Sequence, residues 1–333
     1  MIPAKSSWLA AHGKLWYDDK WYRLAWLVWP QALAAVLVLL FWMAPPSVRN
    51  VRWATPVDPA VRDRQFAALR NSAKSDRSAM ERLEREARSG DMAAEFYYAT
   101  LLDPDLKLST IVQPDTPQAI DWYARSAAQG NEFALGNLAI MYTDGRFVRF
   151  DFTRGCFYAR KLSNNAFAGA LRVKADCYAR GLGGTPVDLA QAALAYDSAA
   201  RKGNVRAAAT LGYFYENGLG GKPRDFAMAL KLYRAAADRG DSLGLHNLGF
   251  AYNAGTLGLQ RDGSESARLI FRALQNKYEV TLQSLTGRSQ LWSPDFWQSL
   301  QRRLEEAGLY AGPIDGRPNS ATLEAVRRLC GQG

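Results

Sequence analysis

Residues 204–220 read NVRAAATLGYFYENGLG, and their small and large side chains alternate as they do in a helix packed along one side. Ala207, Leu211, Gly212 and Tyr215 recur at the spacing of a single helical face. The small members let a neighbouring helix approach closely, and the tyrosine ring fills the space beyond them. Gly218, just past this run, suits the left-handed backbone that closes a helix. Asp225 is placed to open a second helix, where its carboxylate accepts a hydrogen bond from an N–H that the first turn leaves unpaired. Ala229, Leu232 and Tyr233 form the inner face of that helix, and Gly240 ends it. The pattern predicts two antiparallel helices in one unit.

The same unit recurs on both sides. Tyr142, Tyr178, Tyr215 and Tyr252 are spaced 36, 37 and 37 apart, each followed three residues later by a glycine: Gly145, Gly181, Gly218 and Gly255. Asp115, Asp151, Asp188, Asp225 and Asp262 keep the same step. Gly130, Gly203 and Gly240 fall in phase, with Ala166 where a fourth glycine belongs. Neither helix of a unit buries its apolar stripe alone. Stacking of neighbours does so, which predicts a solenoid. Packing and capping explain these tyrosines and aspartates, so they are not read as a binding set. His246 lies in the same first-helix pattern and reads as a fitted core histidine.

The pattern AxxxLGxxYxxG, a variable loop, then DxxxAxxxY…AAxxG resembles the SEL-one-like repeats, a branch of the tetratricopeptide superfamily. The clearest copies are residues 203–239, 240–276 and 130–165. Residues 166–202 match except for Lys174 and Ala175, which stand where Leu-Gly is usual, and residues 90–129 carry a longer connection over 103–114. Residues 76–90 read as a lone second helix capping the stack. The resemblance implies an α-solenoid over residues 76–278 that binds a protein partner on its concave face.

The 333 residues are 48% hydrophobic and 22% charged, an ordinary balance for a folded chain. A mean hydropathy of −0.25 excludes a polytopic membrane protein. Residues 24–43, LAWLVWPQALAAVLVLLFWM, carry no charge and predict one transmembrane helix, flanked by Trp21, Trp26, Trp29 and Trp42. Residues 1–23 form a juxtamembrane tail and 44–75 a linker. Lys5, Lys14, Lys20 and Arg23 against Arg49, Arg52 and Arg62 place the amino terminus in the cytoplasm and the bulk of the chain in the periplasm of a bacterial inner membrane. The net charge of +10, spread along the chain without a nucleic-acid-binding fold, fits anionic lipid or cell wall better than nucleic acid.

Three cysteines exclude a disulfide-dense scaffold, and two histidines exclude a polyhistidine metal site. Cys156 and Cys177 are equidistant from the turn at Ala166, so the two helices of the hairpin bring them face to face. A disulfide and two buried thiols both satisfy that placement. A bond requires an oxidising compartment. Cys330 has no evident partner.

Residues 295–329 read DFWQSLQRRLEEAGLYAGPIDGRPNSATLEAVRRL, with Phe296, Leu300 and Leu304 on one helical face. The segment resembles the small three-helix peptidoglycan-binding domain through Leu300, Gln301, Leu304, Gly308, Tyr310, Gly312, Ile314, Asp315, Gly316, Thr322, Ala325 and Val326. Pro318-Asn319 replaces its usual Phe-Gly, and Leu329-Cys330 its Phe-Gln. The resemblance implies a domain over residues 285–333 that binds peptidoglycan, without cleaving it, through Tyr310, Ile314, Asp315, Gly316 and Thr322. The competing reading is a structural terminus in which Asp315 and Gly316 cap and turn the backbone.

No Ser/His/Asp or Cys/His constellation and no phosphate-cradling loop is visible, so neither catalysis nor a cofactor nor a metal is expected. The expected protein is all-α: one transmembrane helix, a repeat solenoid and a small three-helix domain. It serves as a non-enzymatic envelope scaffold with a protein partner and peptidoglycan, without nucleic acid. The alternative is an accessory subunit of a secretion, motility or polysaccharide-export complex with protein-only contacts.

Overall fold

The computed structural model describes residues 58–145 and 147–332. Among them the chain is all-α, with fifteen α-helices and two short 3₁₀ turns. Helices α1 (Pro59–Ala73) and α2 (Arg77–Arg88) lead into five pairs. These are α3 (Met92–Leu102) with α4 (Thr116–Ala128), α5 (Glu132–Asp144) with α6 (Phe152–Arg160), and α7 (Ala168–Arg180) with α8 (Leu189–Arg201). The last two pairs are α9 (Val205–Asn217) with α10 (Phe226–Asp238), and α11 (Ser242–Ala254) with α12 (Gly263–Gln275). Helices α13 (Glu279–Gly287), α14 (Pro294–Glu306) and α15 (Ser320–Leu329) complete the chain.

The two repeating columns are joined by hydrogen bonds. Four of the aspartate N–H groups donate to the carbonyl of the tyrosine near the end of the first helix, as in Asp225 to Tyr215 at 2.9 Å and Asp262 to Tyr252 at 3.0 Å, and Asp115 donates to Leu102 in the same way. The aspartate carboxylate then accepts from the second helix, as from Met228 N at 2.8 Å and Glu265 N at 2.9 Å. The column at Gly255 has φ +68°, a left-handed conformation that side chains with a Cβ resist. Gly212 serves close packing instead: a Cβ there would lie 2.8 Å from the Tyr233 ring.

Two features depart from the sequence reading. Residues read as linker contain α1, whose Phe66 and Ala73 are buried in the first core. Only a few scattered apolar residues mark this helix, too weak a stripe to stand out among its charges. At the other end, the repeat phase read as ending at Tyr278 continues through α13. First helices begin at 168, 205, 242 and 279, a constant step of 37. Helix α13 is therefore one more first helix, and it shares a core with α14 and α15. Ile270 and Leu274 of α12, Leu282 and Leu285 of α13, Trp292, Phe296 and Val326 form one buried cluster.

The transmembrane part of the expected fold class is corrected, and with it the single-pass inner-membrane placement and the periplasmic bulk. Among the described residues no helix is long and apolar enough to cross a membrane. The longest of them, α1, has 15 residues, and a 13-residue repeat helix is about 20 Å long against a hydrocarbon core of about 30 Å. The stretch 24–43, and anchoring through it, lie outside the described residues.

Candidate interaction surface

Tyrosines of the second helices reach across to acids on the first helix of the same unit. Tyr123 Oη donates to Asp103 at 2.9 Å, Tyr196 to Asp176 at 2.6 Å and Tyr233 to Glu216 at 2.7 Å. In the next unit, Asn137 stands beside Tyr123 and Asn247 beside Tyr233. Burial, reinforced by the neighbouring acid, pushes all three phenols well above their ordinary range. They are structural donors that stay protonated. Burial likewise raises the Asp103 carboxyl.

Exposed apolar groups stand on both helix layers: Phe152, Phe157, Leu194 and Phe226 on second helices, and a separate aromatic set on the first-helix side. Phe96, Phe133 and Phe167 form a run across three units, with centroids 5.8 and 6.1 Å apart, and Phe133 remains 57% exposed. Tyr213 of α9 is 48% exposed. Further along, α9, α11 and α13 border a cavity of about 420 Å³ lined by His246, Asn247 and Phe250 among others. His246 Nδ1 lies 3.0 Å from Thr281 Oγ1, with the Tyr278 and Trp292 rings on its flanks. Burial pushes its imidazole down to about 4, so it is neutral at pH 7.

The turn with Ala166 in place of glycine lies between two paired cysteines of adjacent units. Cys156 of α6 and Cys177 of α7 are joined by a disulfide, with Cα atoms 5.7 Å apart. Lys174 is buried where Leu is usual, and its Nζ donates to Leu162 O at 2.6 Å, satisfying a carbonyl at the end of α6. Burial lowers its pKa, opposed by Glu132. Phe167, before α7, makes no side-chain cap bond. The bridge and the lysine thus hold a turn that lacks the usual glycine and cap. Cys330 is a buried free thiol, its pKa raised by burial.

In the C-terminal loop, most of the residues expected to bind peptidoglycan are tied into the module itself. Gly316 N donates to Gln301 Oε1 at 2.9 Å, and Gln301 Nε2 donates to Arg317 O at 3.0 Å, with Asp315 and Thr322 side chains 3.3 Å away. Thr322 N and Oγ1 both reach Asn319 Oδ1, so the residue that departs from the motif caps α15. Tyr310 is buried and donates to Pro313 O at 2.9 Å. The Arg317 N–H holds the exposed Asp315 carboxyl below its ordinary value. Ile314 is half-buried, while Ala311, Pro313, Asp315 and Arg317 are exposed. Gln301, the organiser of the loop, stood in the sequence as the one polar residue on an otherwise apolar helical face.

Among the described residues no group of three or more His, Cys, Asp or Glu side chains converges to hold a metal ion. The Sel1 repeat model matches residues 94–131, 175–204, 205–241 and 242–277. The stretch 132–174, with the bridged turn, lies between those matches although its helices keep the phase. No curated protein sequence matches the chain. Among solved structures it is similar to a Sel1 repeat protein from Oxalobacter formigenes, at 24% identity and a TM-score of 0.53, over 70% of this chain and 89% of that one. It is also similar, at 22% identity and a TM-score of 0.45 over 76% and 64% of the two chains, to a protective antigen of uropathogenic Escherichia coli with an SLR fold. The four matched segments are Sel1 repeats, and their helix pairs stack as a solenoid.

Proposed function

We propose that this Sel1-repeat chain is a non-enzymatic scaffold that receives a protein partner on the face built by its first helices. Sel1-repeat solenoids bind protein partners. The observation that carries the reading here is the large apolar groups left open on first helices, Phe133, Tyr213 and Val280, with Phe133 part of an aromatic run that crosses three units. Exposed apolar groups that recur along one face mark an interaction surface. The test is co-purification with tagged protein. Phe133→Glu and Tyr213→Glu should each remove the same partner, while Leu194→Glu, on an exposed second-helix position, should leave it bound. Loss of the partner with Leu194→Glu alone would overturn the assignment of the face.

A finer reading gives the 310–322 loop peptidoglycan as a ligand. It is supported by the motif resemblance and by the exposed rim of Ala311, Pro313, Asp315 and Arg317. The internal pairing of Tyr310, Gly316 and Thr322 favours instead an accessory subunit with protein-only contacts, its C-terminal helices sealing the stack. Sedimentation of the full chain with purified sacculi separates them. The peptidoglycan reading requires co-sedimentation that Asp315→Ala with Arg317→Ala abolishes; a chain that stays in the supernatant belongs to the second reading.

A further inference from the structure

The cavity of about 420 Å³ lies where the repeat stack meets the C-terminal module, and its walls differ in chemistry. One is apolar: the Phe250 ring of α11, with Val280 and Leu291 each 47% exposed. Such exposure of branched side chains at a concave site costs free energy unless something covers them. The other wall is polar and almost uncharged. Gln283 spends one N–H on Glu279 at 3.3 Å and keeps its carbonyl and a second N–H, Asn247 beside Tyr233 adds another amide, and His246 has one nitrogen tied to Thr281. The charged groups stand on different helical layers. Glu216, on α9, already accepts from Tyr233, whereas Arg288, after α13, is exposed and makes no ion pair among the described residues.

These groups select among ligands. A nucleotide or polyphosphate needs several cations, and here a single arginine faces a carboxylate across the site. Amide side chains that both donate and accept match a peptide main chain, and the volume suits one large side chain with its flanking backbone. The free guanidinium forms a charge-assisted pair with a carboxylate. We propose that this cavity anchors an extended segment of the partner protein, seating an aromatic or branched apolar side chain on Phe250, Val280 and Leu291 and an adjacent carboxylate on Arg288. The proposal rests on the scaffold reading and names the chemistry of the partner. Asn253 keeps the site in shape. Its side chain donates to Leu291 O at 2.9 Å and accepts from Ser293 N at 2.9 Å, fixing the C-terminal module against α11.

The test uses the full chain and a phage-displayed library of random 12-residue peptides. Enriched peptides are synthesised and titrated by fluorescence anisotropy. We expect them to share an aromatic or branched apolar residue beside Asp, Glu or the free carboxyl terminus. Arg288→Glu and Val280→Asp, both at exposed positions, should weaken binding at least tenfold with unchanged thermal unfolding, and Leu194→Asp should not. Peptides without a carboxylate beside the anchor, peptides indifferent to both substitutions, or no enrichment would each overturn the proposal. Peptides that respond only to Tyr213→Asp would remove this cavity and leave the first-helix face as the scaffold surface. The scaffold reading itself falls only through the co-purification result.

Discussion

The buried tyrosines show how a single side chain ties units together. Tyr233 donates to Glu216 of α9 and stands beside Asn247 of α11, so it sits where two units meet. Tyr233→Phe keeps the ring and strands the acid, and it should cost about 2 kcal/mol in chemical denaturation. His246 gives a pH signature. Its folded pKa of about 4 lies below the unfolded value of about 6.5, so the unfolded chain binds more protons between them. That contribution is fully present above pH 6.5 and is lost as pH falls through about 4, a loss of up to about 3 kcal/mol at one proton's slope. Unfolding of His246→Gln should show a flatter pH dependence across the window. In the sequence these tyrosines were legible as packing, but their acids were not. Asp103 and Glu216 share one register, while Asp176 sits one helical turn earlier on the same face, so no column aligns them.

Helices were the most legible level, because each start and stop is marked by a residue whose chemistry the backbone requires. Aspartate at the second-helix cap and glycine at the first-helix end recur because an unpaired N–H and a positive φ recur. Helix α1 does carry a start signal in Asp58-Pro59, but its few scattered apolar residues made it pass for linker. The turn around Ala166 shows what replaces a missing mark. The Cys156–Cys177 bridge closes a loop of 21 residues, and removing it with Cys156→Ala and Cys177→Ala should cost about 3 kcal/mol. Hydrogen exchange should then accelerate first in α6 and α7. Exchange that rises uniformly along the stack would show that the bridge does no local work. Thiol labelling of the unfolded, unreduced chain should modify Cys330 alone.

At the scale of the whole array, the C-terminal module is continuous with the repeats. The sequence pointed to a separate domain because its motif begins where the glycine and aspartate columns stop. Helix α13 belongs to both, since a helix in repeat phase packs on α12 and also meets α15, within a core shared with α14. Trp292 lies at the junction, 4.4 Å from the Phe296 ring and 5.6 Å from Phe250. Trp292→Ala should cost about 3–5 kcal/mol and loosen α11 through α15 together in hydrogen exchange, not α14 and α15 alone. On the proposed reading, a partner meets the array through its first helices. Site-specific photo-crosslinking in cells probes that face directly, with a benzophenone amino acid placed at Tyr213 on a first helix or at Leu194 on a second. One discrete adduct is expected from position 213 and none from position 194. The same adduct from both positions, or from position 194 only, would contradict a scaffold that binds through its first helices.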